Sequence, residues 1–277
     1  MVEATIPARA AARYATLWKA ATWLMGSNIT SQLLRLVSSL VLTRLLLPEH
    51  FGLMAAAQTL YYGLVLFSDM GIWQSIVSHP KGTTPSHLGT AFCIQFARGI
   101  LLAAVVALVA ASLMLGQPQA WFRSGTVLAD PRLGWMVLCY GAFAVLQGLE
   151  SMHIATTQRA MDTRSIAQLE LTAQIAGMLS TISLAWYSTS VWSLVAGAFV
   201  STATRTALSH WSLHGPSYRM QWDAEAGKDL LGFGKWIVLA SMIGFLASQG
   251  EKLLLGGMLD VSAYGAYSIA ALLLAAG

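Results

Sequence analysis

Long apolar runs, separated by short polar segments, follow one another along the whole chain. A helix needs about 20 apolar residues to cross the hydrocarbon core of a bilayer, so the pattern predicts about eight transmembrane helices. Their predicted ranges are 20–47, 51–77, 88–115, 133–155, 166–187, 191–211, 230–259 and 263–277. Pro48 cannot donate the next helical hydrogen bond and is predicted to end the first helix. We therefore predict an all-α polytopic membrane protein.

The composition favours a membrane protein over a soluble one. Hydrophobic residues make up 56% of the 277 residues and charged residues only 10%, whereas a soluble domain averages about 25% charged residues. In a soluble protein a net charge of +4 would suggest nucleic acid as a partner. Here we attribute this charge to basic loops on one side of a membrane, and we expect no nucleic-acid partner.

The sequence contains no motif of an enzyme or cofactor site. Cys93 and Cys139 both lie in apolar runs and lack the spacing of a metal site. The sequence lacks a phosphate-binding loop, a zinc-protease motif and a hydrolase nucleophile elbow. The sequence therefore predicts no catalytic residues, metal ligands or cofactor.

Lysine and arginine residues are distributed unevenly around the predicted helices. With the N-terminus in the cytoplasm, ten of them lie at cytoplasmic helix ends or loops and three lie on the other side. Arg205, near the end of the sixth helix, counts among the ten. Because cytoplasmic loops are enriched in these residues, we predict a cytoplasmic N-terminus.

A weak internal repeat divides the chain. A shift of 213 residues aligns Trp23 with Trp236 and Gly52 with Gly265. An even number of helices per repeat would relate the two halves by an axis along the membrane normal. The predicted units are a six-helix lobe over 1–214, a cytoplasmic inter-lobe loop over 215–229 and the start of a second lobe over 230–277.

Polar residues inside the predicted helices form the candidate site, because such groups usually face a protein interior or a watery cavity. One face of the first helix carries four of them, and Arg35 lies ~22 Å along the axis from Ala20. We predict one polar cavity between the first, third, fourth and seventh helices. The substrate-binding candidates are Asn28, Gln32, Arg35, Gln95, Arg98, Gln147 and Lys252, and the ion-coupling candidates are Asp69, Glu150 and Glu251.

The cations in this set favour an anionic substrate, since a guanidinium group presents a planar fork to phosphate. A structural interpretation stays open beside the functional one. In it, Glu150 neutralises Arg35 or Arg98 as an intramembrane pair, and Lys252 extends its ammonium group toward the interface.

Three stretches of the sequence carry a family resemblance. They are LTRLLLPEHFG between the first and second helices, FSDMG toward the end of the second, and EKLLLGGMLDVSAYGAYSIA at the seventh and eighth. Together they resemble the polysaccharide transporter family of the MOP flippase superfamily, the bacterial oligosaccharide flippases and lipopolysaccharide exporters. The resemblance covers all the predicted helices and implies a MOP-type bundle with one complete lobe and the start of a second.

This resemblance implies export of a polyprenyl-diphosphate-linked oligosaccharide, such as an O-antigen, exopolysaccharide or capsule unit, across the bacterial inner membrane. The family lumen is cationic, which implies Arg35 and Arg98 as phosphate-side residues and Glu150 and Glu251 in ion coupling or sugar contact. The implied partners are the lipid-linked oligosaccharide, membrane lipids and polysaccharide polymerase machinery, with no coupling ion specified. Because family members have two lobes, we expect a truncated product, a fragment, or a half-transporter whose copies assemble.

Other functions remain open from the sequence. A peptidoglycan lipid-precursor flippase would differ in its cargo, and an inactive truncated remnant would transport nothing. A multidrug exporter of the same superfamily should have an anionic cavity, which the intramembrane cations disfavour. A membrane-embedded polymerase or ligase would need a larger outer loop than residues 116–131.

Overall fold

The computed structural model describes residues 8–116 and 125–274, without the side chains of 8–20, 233–236 and 273. No β-strand forms in these ranges, and an isolated bridge joins Thr126 to Asp260. The helices are α1 (Ala8–Leu45), α2 (Pro48–Phe67), α3 (Ile72–Ser78), α4 (Pro85–Leu115), α5 (Pro131–Gly148), α6 (His153–Arg159), α7 (Thr163–Tyr187), α8 (Trp192–Trp211), α9 (Ala224–Met258) and α10 (Val261–Leu274). The predicted all-α fold is confirmed.

Several of these helices are candidate membrane spans. By length and apolar composition, α4 and α9 could each cross a bilayer, and the number rises to four if the bent pairs α2–α3 and α5–α6 each form one span. In the described residues, fewer helices than the predicted eight meet this criterion. Residues 117–124, with Pro118 and Arg123 of the predicted outer loop, and Gly277 at the end of the predicted eighth helix lie outside the described ranges.

The helix starts follow local capping chemistry. Thr84 and Asp130 each accept a hydrogen bond from a backbone N–H of the helix that follows, and each precedes a proline at the first helical position. Pro48 likewise begins α2, with Leu47 before it, and does not lie in a turn ahead of that helix as predicted. A proline is tolerated there because its missing N–H would have had no helical partner.

Two predicted helices are each broken in two. The prediction of one helix over 51–77 is wrong, because α2 ends at Phe67 and α3 continues at an angle of 51°. The prediction of one helix over 133–155 is wrong as well, since α5 ends at Gly148 and α6 departs at 60°. Residues 156–159, which lie between the predicted helices over 133–155 and 166–187, form four of the seven residues of α6.

The apolar core lies where α2, α4, α5, α8 and α10 meet, while α1 packs at the periphery against α7. Tyr61, Tyr140 and Phe143 stack at its centre, with ring centroids 4.9 Å and 4.8 Å apart along the series. Large apolar side chains on the outer faces of α1 and α9 remain exposed. Exposed apolar faces are expected of helices that contact lipid.

The closest approach of α2 and α10 involves the two glycines that the repeat aligns. A Cβ atom on Gly52 would lie 2.7 Å from the carbonyl oxygen of Val261 and 2.9 Å from the backbone nitrogen of Gly265. Small residues let helix backbones approach closely in membranes. This close contact joins the two glycines, and the repeat that aligns them stays a prediction.

The segment between α8 and α9 runs along the start of α4. The Asp223 side chain caps α9 and accepts a hydrogen bond from Ser86 of α4. The backbone N–H of Asp223 donates to the Thr90 hydroxyl at 3.0 Å. These bonds attach the segment between α8 and α9, and the start of α9, to α4.

Candidate functional site

The break between α2 and α3 has a local cause. Gly71 adopts a left-handed conformation with φ of +61°, which glycine tolerates better than other residues. Its backbone N–H donates to the Asp69 carboxylate at 3.0 Å, which closes a tight turn. The turn ends α2 and directs α3 away from its axis.

The break between α5 and α6 depends more on partners from elsewhere in the chain. The Ser209 hydroxyl of α8 accepts from the backbone N–H of Ser151 at 3.0 Å. The Tyr218 hydroxyl, in the segment before α9, accepts from the backbone N–H of Met152 at 3.0 Å. Two N–H groups that leave the helical pattern are therefore satisfied by side chains, as an apolar environment requires.

α4 passes between the two breaks and donates to both. The Arg98 guanidinium donates to the carbonyl oxygen of Val65 at 2.8 Å and to the Ser68 hydroxyl at 3.1 Å. One turn earlier, the amide of Gln95 donates to the carbonyl oxygens of Gln147 and Glu150, both at 3.0 Å. Two predicted site residues thus bind the carbonyl groups that the broken helices expose.

A polar cavity of about 310 Å³ lies between the breaks, and we call it the interior cavity. It is bounded by α3, α4, α5, α6 and α8. Its polar lining consists of Asp69, Gln95, Arg98, Gln147, Glu150, Ser151 and Arg205. Five of these residues were predicted from the sequence as site residues.

Glu150 is the most buried carboxylate of the interior cavity, with 8% of its surface exposed. It forms an ion pair with Arg205 of α8. Arg205 also binds the half-exposed carboxylate of Glu170 on α7, at 3.0 Å. The structural interpretation in which Glu150 pairs with Arg35 or Arg98 is therefore wrong, because Arg205 of α8 is its counter-ion.

A second cavity of about 320 Å³, here called the α1 cleft, lies between α1, α2, α7, α8 and α10. Arg35 and Ser39 line it from α1, and Gln58 faces them from α2. Its remaining walls are largely apolar and include Leu42 and Phe51. Arg35 is exposed and takes part in no ion pair among the described residues.

A third cavity of about 260 Å³, here called the α9 cleft, lies between α2 and α9, beside the α1 cleft. It is lined by Lys252 and Gln249 from α9 and shares Ala55 and Gln58 of α2 with the α1 cleft. Lys252, like Arg35, has no carboxylate partner within the described ranges. Two unpaired cations thus flank one face of α2.

The predicted residues therefore divide among separate places, and the single cavity expected between the first, third, fourth and seventh helices does not form. The difference arises because, in the described residues, α1 packs mainly against α7 and has at most sparse contact with α4 or α5. Asn28 is exposed and Gln32 is half-buried on α1, and neither lines a cleft. Glu251 is exposed and accepts a hydrogen bond from Tyr267 at 2.8 Å.

Sequence reasoning missed three residues that the geometry makes prominent. Arg205 was counted at a cytoplasmic helix end, although six residues of α8 follow it, or ~9 Å of helix. Glu170 and Gln58 were not singled out. A charge inside α7 and an amide inside α2 are signals of the same kind as those used for the other candidates.

The model of the polysaccharide biosynthesis protein family matches residues 41–276. The chain belongs to this family. Its match begins within α1 and continues into α10, so it covers both helix breaks and most of the residues that line the three cavities.

Two curated relatives are themselves named for polysaccharide biosynthesis. The chain is 25% identical over 241 residues to the lipopolysaccharide biosynthesis protein WzxC of Escherichia coli K12, covering 86% of this chain and 46% of the relative. It is 23% identical over 249 residues to the succinoglycan biosynthesis transport protein ExoT of Rhizobium meliloti 1021, covering 90% and 48%. The chain thus spans about half the length of these relatives. No solved structure gives a significant match.

Proposed function

We propose that this polysaccharide biosynthesis protein takes part in moving a lipid-linked oligosaccharide from the cytoplasmic to the periplasmic leaflet of the bacterial inner membrane. The observation that carries the proposal is the pair of cations beside α2, Arg35 and Lys252, which lack carboxylate partners in the described part of the chain. A cation within a membrane protein is costly unless it faces water or an anion. A diphosphate group would supply that anion.

The α1 cleft has the chemistry of an amphipathic ligand site. Arg35 and Gln58 give it one polar region, while Leu34, Leu42 and Phe51 give it an apolar wall. A diphosphate attached to a polyprenyl chain combines the same two properties in one molecule. We therefore assign the phosphate-side role to Arg35, with Lys252 as the second cation.

Arg98 receives a different role in this proposal. Two of its nitrogens already donate to Val65 and Ser68 at the α2–α3 break. With two of its three guanidinium nitrogens engaged, Arg98 has fewer donors left for a phosphate than Arg35 has. We assign Arg98, Gln95 and Gln147 to the support of the broken helices, and we leave Asn28 and Gln32 without a cargo contact.

A transport role, without a catalytic step, agrees with the name of ExoT as a transport protein. We propose membrane lipids and polysaccharide polymerase machinery as further partners, and a cytoplasmic N-terminus as the orientation. The excess of lysine and arginine on one side of the predicted topology supports that orientation.

The test is binding of undecaprenyl diphosphate to the purified 277-residue chain in lipid nanodiscs. We expect Arg35→Ala to weaken binding by about tenfold or more, because a hydrogen bond to a charged group contributes about 1.5–3 kcal/mol. Arg44→Ala is the matched control, since Arg44 is also exposed on α1 but lines neither cleft. Undecaprenol, which lacks the diphosphate, should bind more weakly and should not distinguish the variants.

Complementation of a flippase-deficient strain provides the cellular test. The chain should be expressed alone and in a form that continues into any coding sequence that follows it, each with and without Arg35→Ala. Restored surface polysaccharide that depends on Arg35 supports the proposal. Equal binding of the diphosphate by the Arg35 and Arg44 variants would remove Arg35 from the site.

A further inference from the structure

A short segment ahead of α5 enters the apolar core. Residues 126–129, here called the plug, contain one 3₁₀ turn over Val127–Ala129. Val127 has none of its surface exposed and belongs to the core cluster, and Leu128 packs against that cluster. Connecting segments usually run over the protein surface, so a loop with its apolar side chains inside the core needs an explanation.

The plug is attached at both of its ends. Thr126 forms an antiparallel bridge with Asp260, in the turn between α9 and α10. At the other end, the Asp130 carboxylate binds the Arg132 guanidinium at 2.9 Å, and Arg132 also lies 3.6 Å from the Glu49 carboxylate of α2. The plug therefore connects the start of α2 with the α9–α10 turn.

The plug also lies at one end of the α9 cleft. Gly256 follows Lys252 by four residues, so both lie on one face of α9, ~6 Å apart along its axis. A Cβ atom on Gly256 would lie 3.8 Å from Leu128 and 3.8 Å from Tyr264 of α10. The plug and the buried Tyr264 ring therefore contact α9 one turn beyond Lys252, on the side of the α9–α10 turn.

We propose that the plug is a removable barrier between the α9 cleft and the water at the α9–α10 end of the bundle, which the predicted topology places in the periplasm. The barrier itself does not depend on the proposed cargo. Its role in export rests on the proposed function: while the plug is in place, a head group beside Lys252 has no path past Leu128.

The attachments of the plug suit a barrier that opens. The contact of Gly52 with α10 is between backbones, so it cannot open unless a helix moves. The plug, in contrast, can withdraw alone. One bridge holds Thr126, and the pair of Arg132 with Glu49 joins half-exposed groups, which contribute little to stability. Burial of Val127 and Leu128 is therefore the main interaction that keeps the barrier closed.

Cysteine labelling tests the barrier without any cargo. Gln249→Cys places a thiol in the lining of the α9 cleft, in a chain whose two native cysteines are replaced by alanine. Tyr187→Cys is the reference for the side of the membrane. Tyr187 is exposed, and the bond from Thr206 to the carbonyl oxygen of Leu146 joins the far ends of α8 and α5, so Tyr187 and the plug lie together at their starts.

A membrane-impermeant maleimide is applied to intact cells or to inverted vesicles, whichever lets Tyr187→Cys react. We expect Gln249→Cys to react slowly from that side. Leu128→Ser should accelerate it by about tenfold or more, because the labelling rate follows the population of the open form and the variant removes apolar burial from the closed form. Leu113→Ser, at a partly buried leucine of α4 in the same cluster, is the matched control and should leave the rate unchanged.

Two outcomes of this labelling would overturn the proposal. One is fast reaction of Gln249→Cys with the plug unmodified. The other is equal acceleration by Leu128→Ser and Leu113→Ser, which would indicate a general loss of packing.

A disulfide provides a second test that leaves the apolar core unchanged. Thr126→Cys with Asp260→Cys places two thiols on facing residues of an antiparallel pair, whose Cα atoms lie ~4.5–5.5 Å apart, as a disulfide requires. After oxidation with copper phenanthroline, Gln249→Cys should stay protected even in Leu128→Ser. The thiol of Gln249→Cys is therefore blocked reversibly during the oxidation.

The same cysteine pair, without Gln249→Cys, separates this proposal from the proposed function. In a form of the chain that restores surface polysaccharide, oxidation should stop export and a reductant should restore it, while undecaprenyl diphosphate still binds. Equal export by the oxidised and reduced forms would overturn the barrier. Absence of export from the reduced form would count against the proposed function, and the labelling rates would then decide on the barrier.

Discussion

The hydrogen bonds of Gln95 allow a sharp test of how the helix breaks are stabilised. We consider Gln95→Leu, which keeps a side chain of similar size and removes its amide. The Nε2 atom donates to the carbonyl oxygens of Gln147 and Glu150 at 3.0 Å each. The oxygen of Gln147 also accepts from the backbone N–H of Glu150 at 3.2 Å, so it keeps one partner in the variant.

The expected loss follows from these contacts. Each neutral hydrogen bond contributes about 1 kcal/mol, so we expect a loss of about 2 kcal/mol in the free energy of unfolding. Gln58→Leu is the matched control, because Gln58 is exposed and forms no hydrogen bond among the described residues. A surface change of this kind should stay within about 0.5 kcal/mol.

Two measurements would check this prediction. Steric-trapping unfolding in bicelles gives the free-energy difference between each variant and the unmodified chain. Hydrogen exchange of the backbone amides over 151–154 gives the local effect, which should accelerate in Gln95→Leu alone. Equal unfolding free energies for the two variants, with unchanged exchange at the break, would refute the role of Gln95.

Two further predictions concern packing and pH. Gly52→Ala should lower the thermal midpoint in nanodiscs and the free energy of unfolding by about 1–3 kcal/mol, because its methyl group would meet a carbonyl oxygen of α10. Gly244→Ala is the control and should leave the midpoint unchanged, because a Cβ atom there would have nothing within 4 Å. Equal midpoints for the two variants would contradict the close α2–α10 contact. Hydrogen bonds from Ser86 and from two backbone N–H groups lower the pKa of Asp223, so its contribution to stability is present at neutral pH and is lost as the pH falls below about 3.9. Proteolysis of 212–223 should therefore accelerate at acid pH in the unmodified chain. In Asp223→Ala it should be fast at every pH. The same acid dependence of proteolysis in both proteins would contradict the prediction.

Much of the fold could be predicted from apolar runs alone, but the interruptions could not. The predicted end of the helix over 88–115 coincides with that of α4, because a long apolar run in lipid is stable only when its backbone bonds are made internally. The α2–α3 break carried a sequence signal in Asp69 and Gly71, which can form a tight turn. The α5–α6 break carried a weaker one, since its freed N–H groups depend on Ser209 and Tyr218.

The candidate site shows the same division. Five predicted residues meet at the interior cavity, because polar groups inside apolar helices avoid lipid whichever helix carries them. Which of them would pair could not be predicted. The structural interpretation paired Glu150 with Arg35 or Arg98, yet its partner is Arg205, which the predicted topology placed at a cytoplasmic helix end.

The sequence by itself determined that this protein is helical, where most helices begin and end, and which side chains are too polar to face lipid. Those properties depend on hydrophobicity, capping and turn residues within a few positions of one another. Only the tertiary structure decided that α1 packs against α7, that α8 supplies the counter-ion of Glu150, and that Arg35 and Lys252 flank Gln58 without partners. The rotation of each helix about its axis and the angle at each break select these contacts, and both result from packing between segments that are distant in the chain.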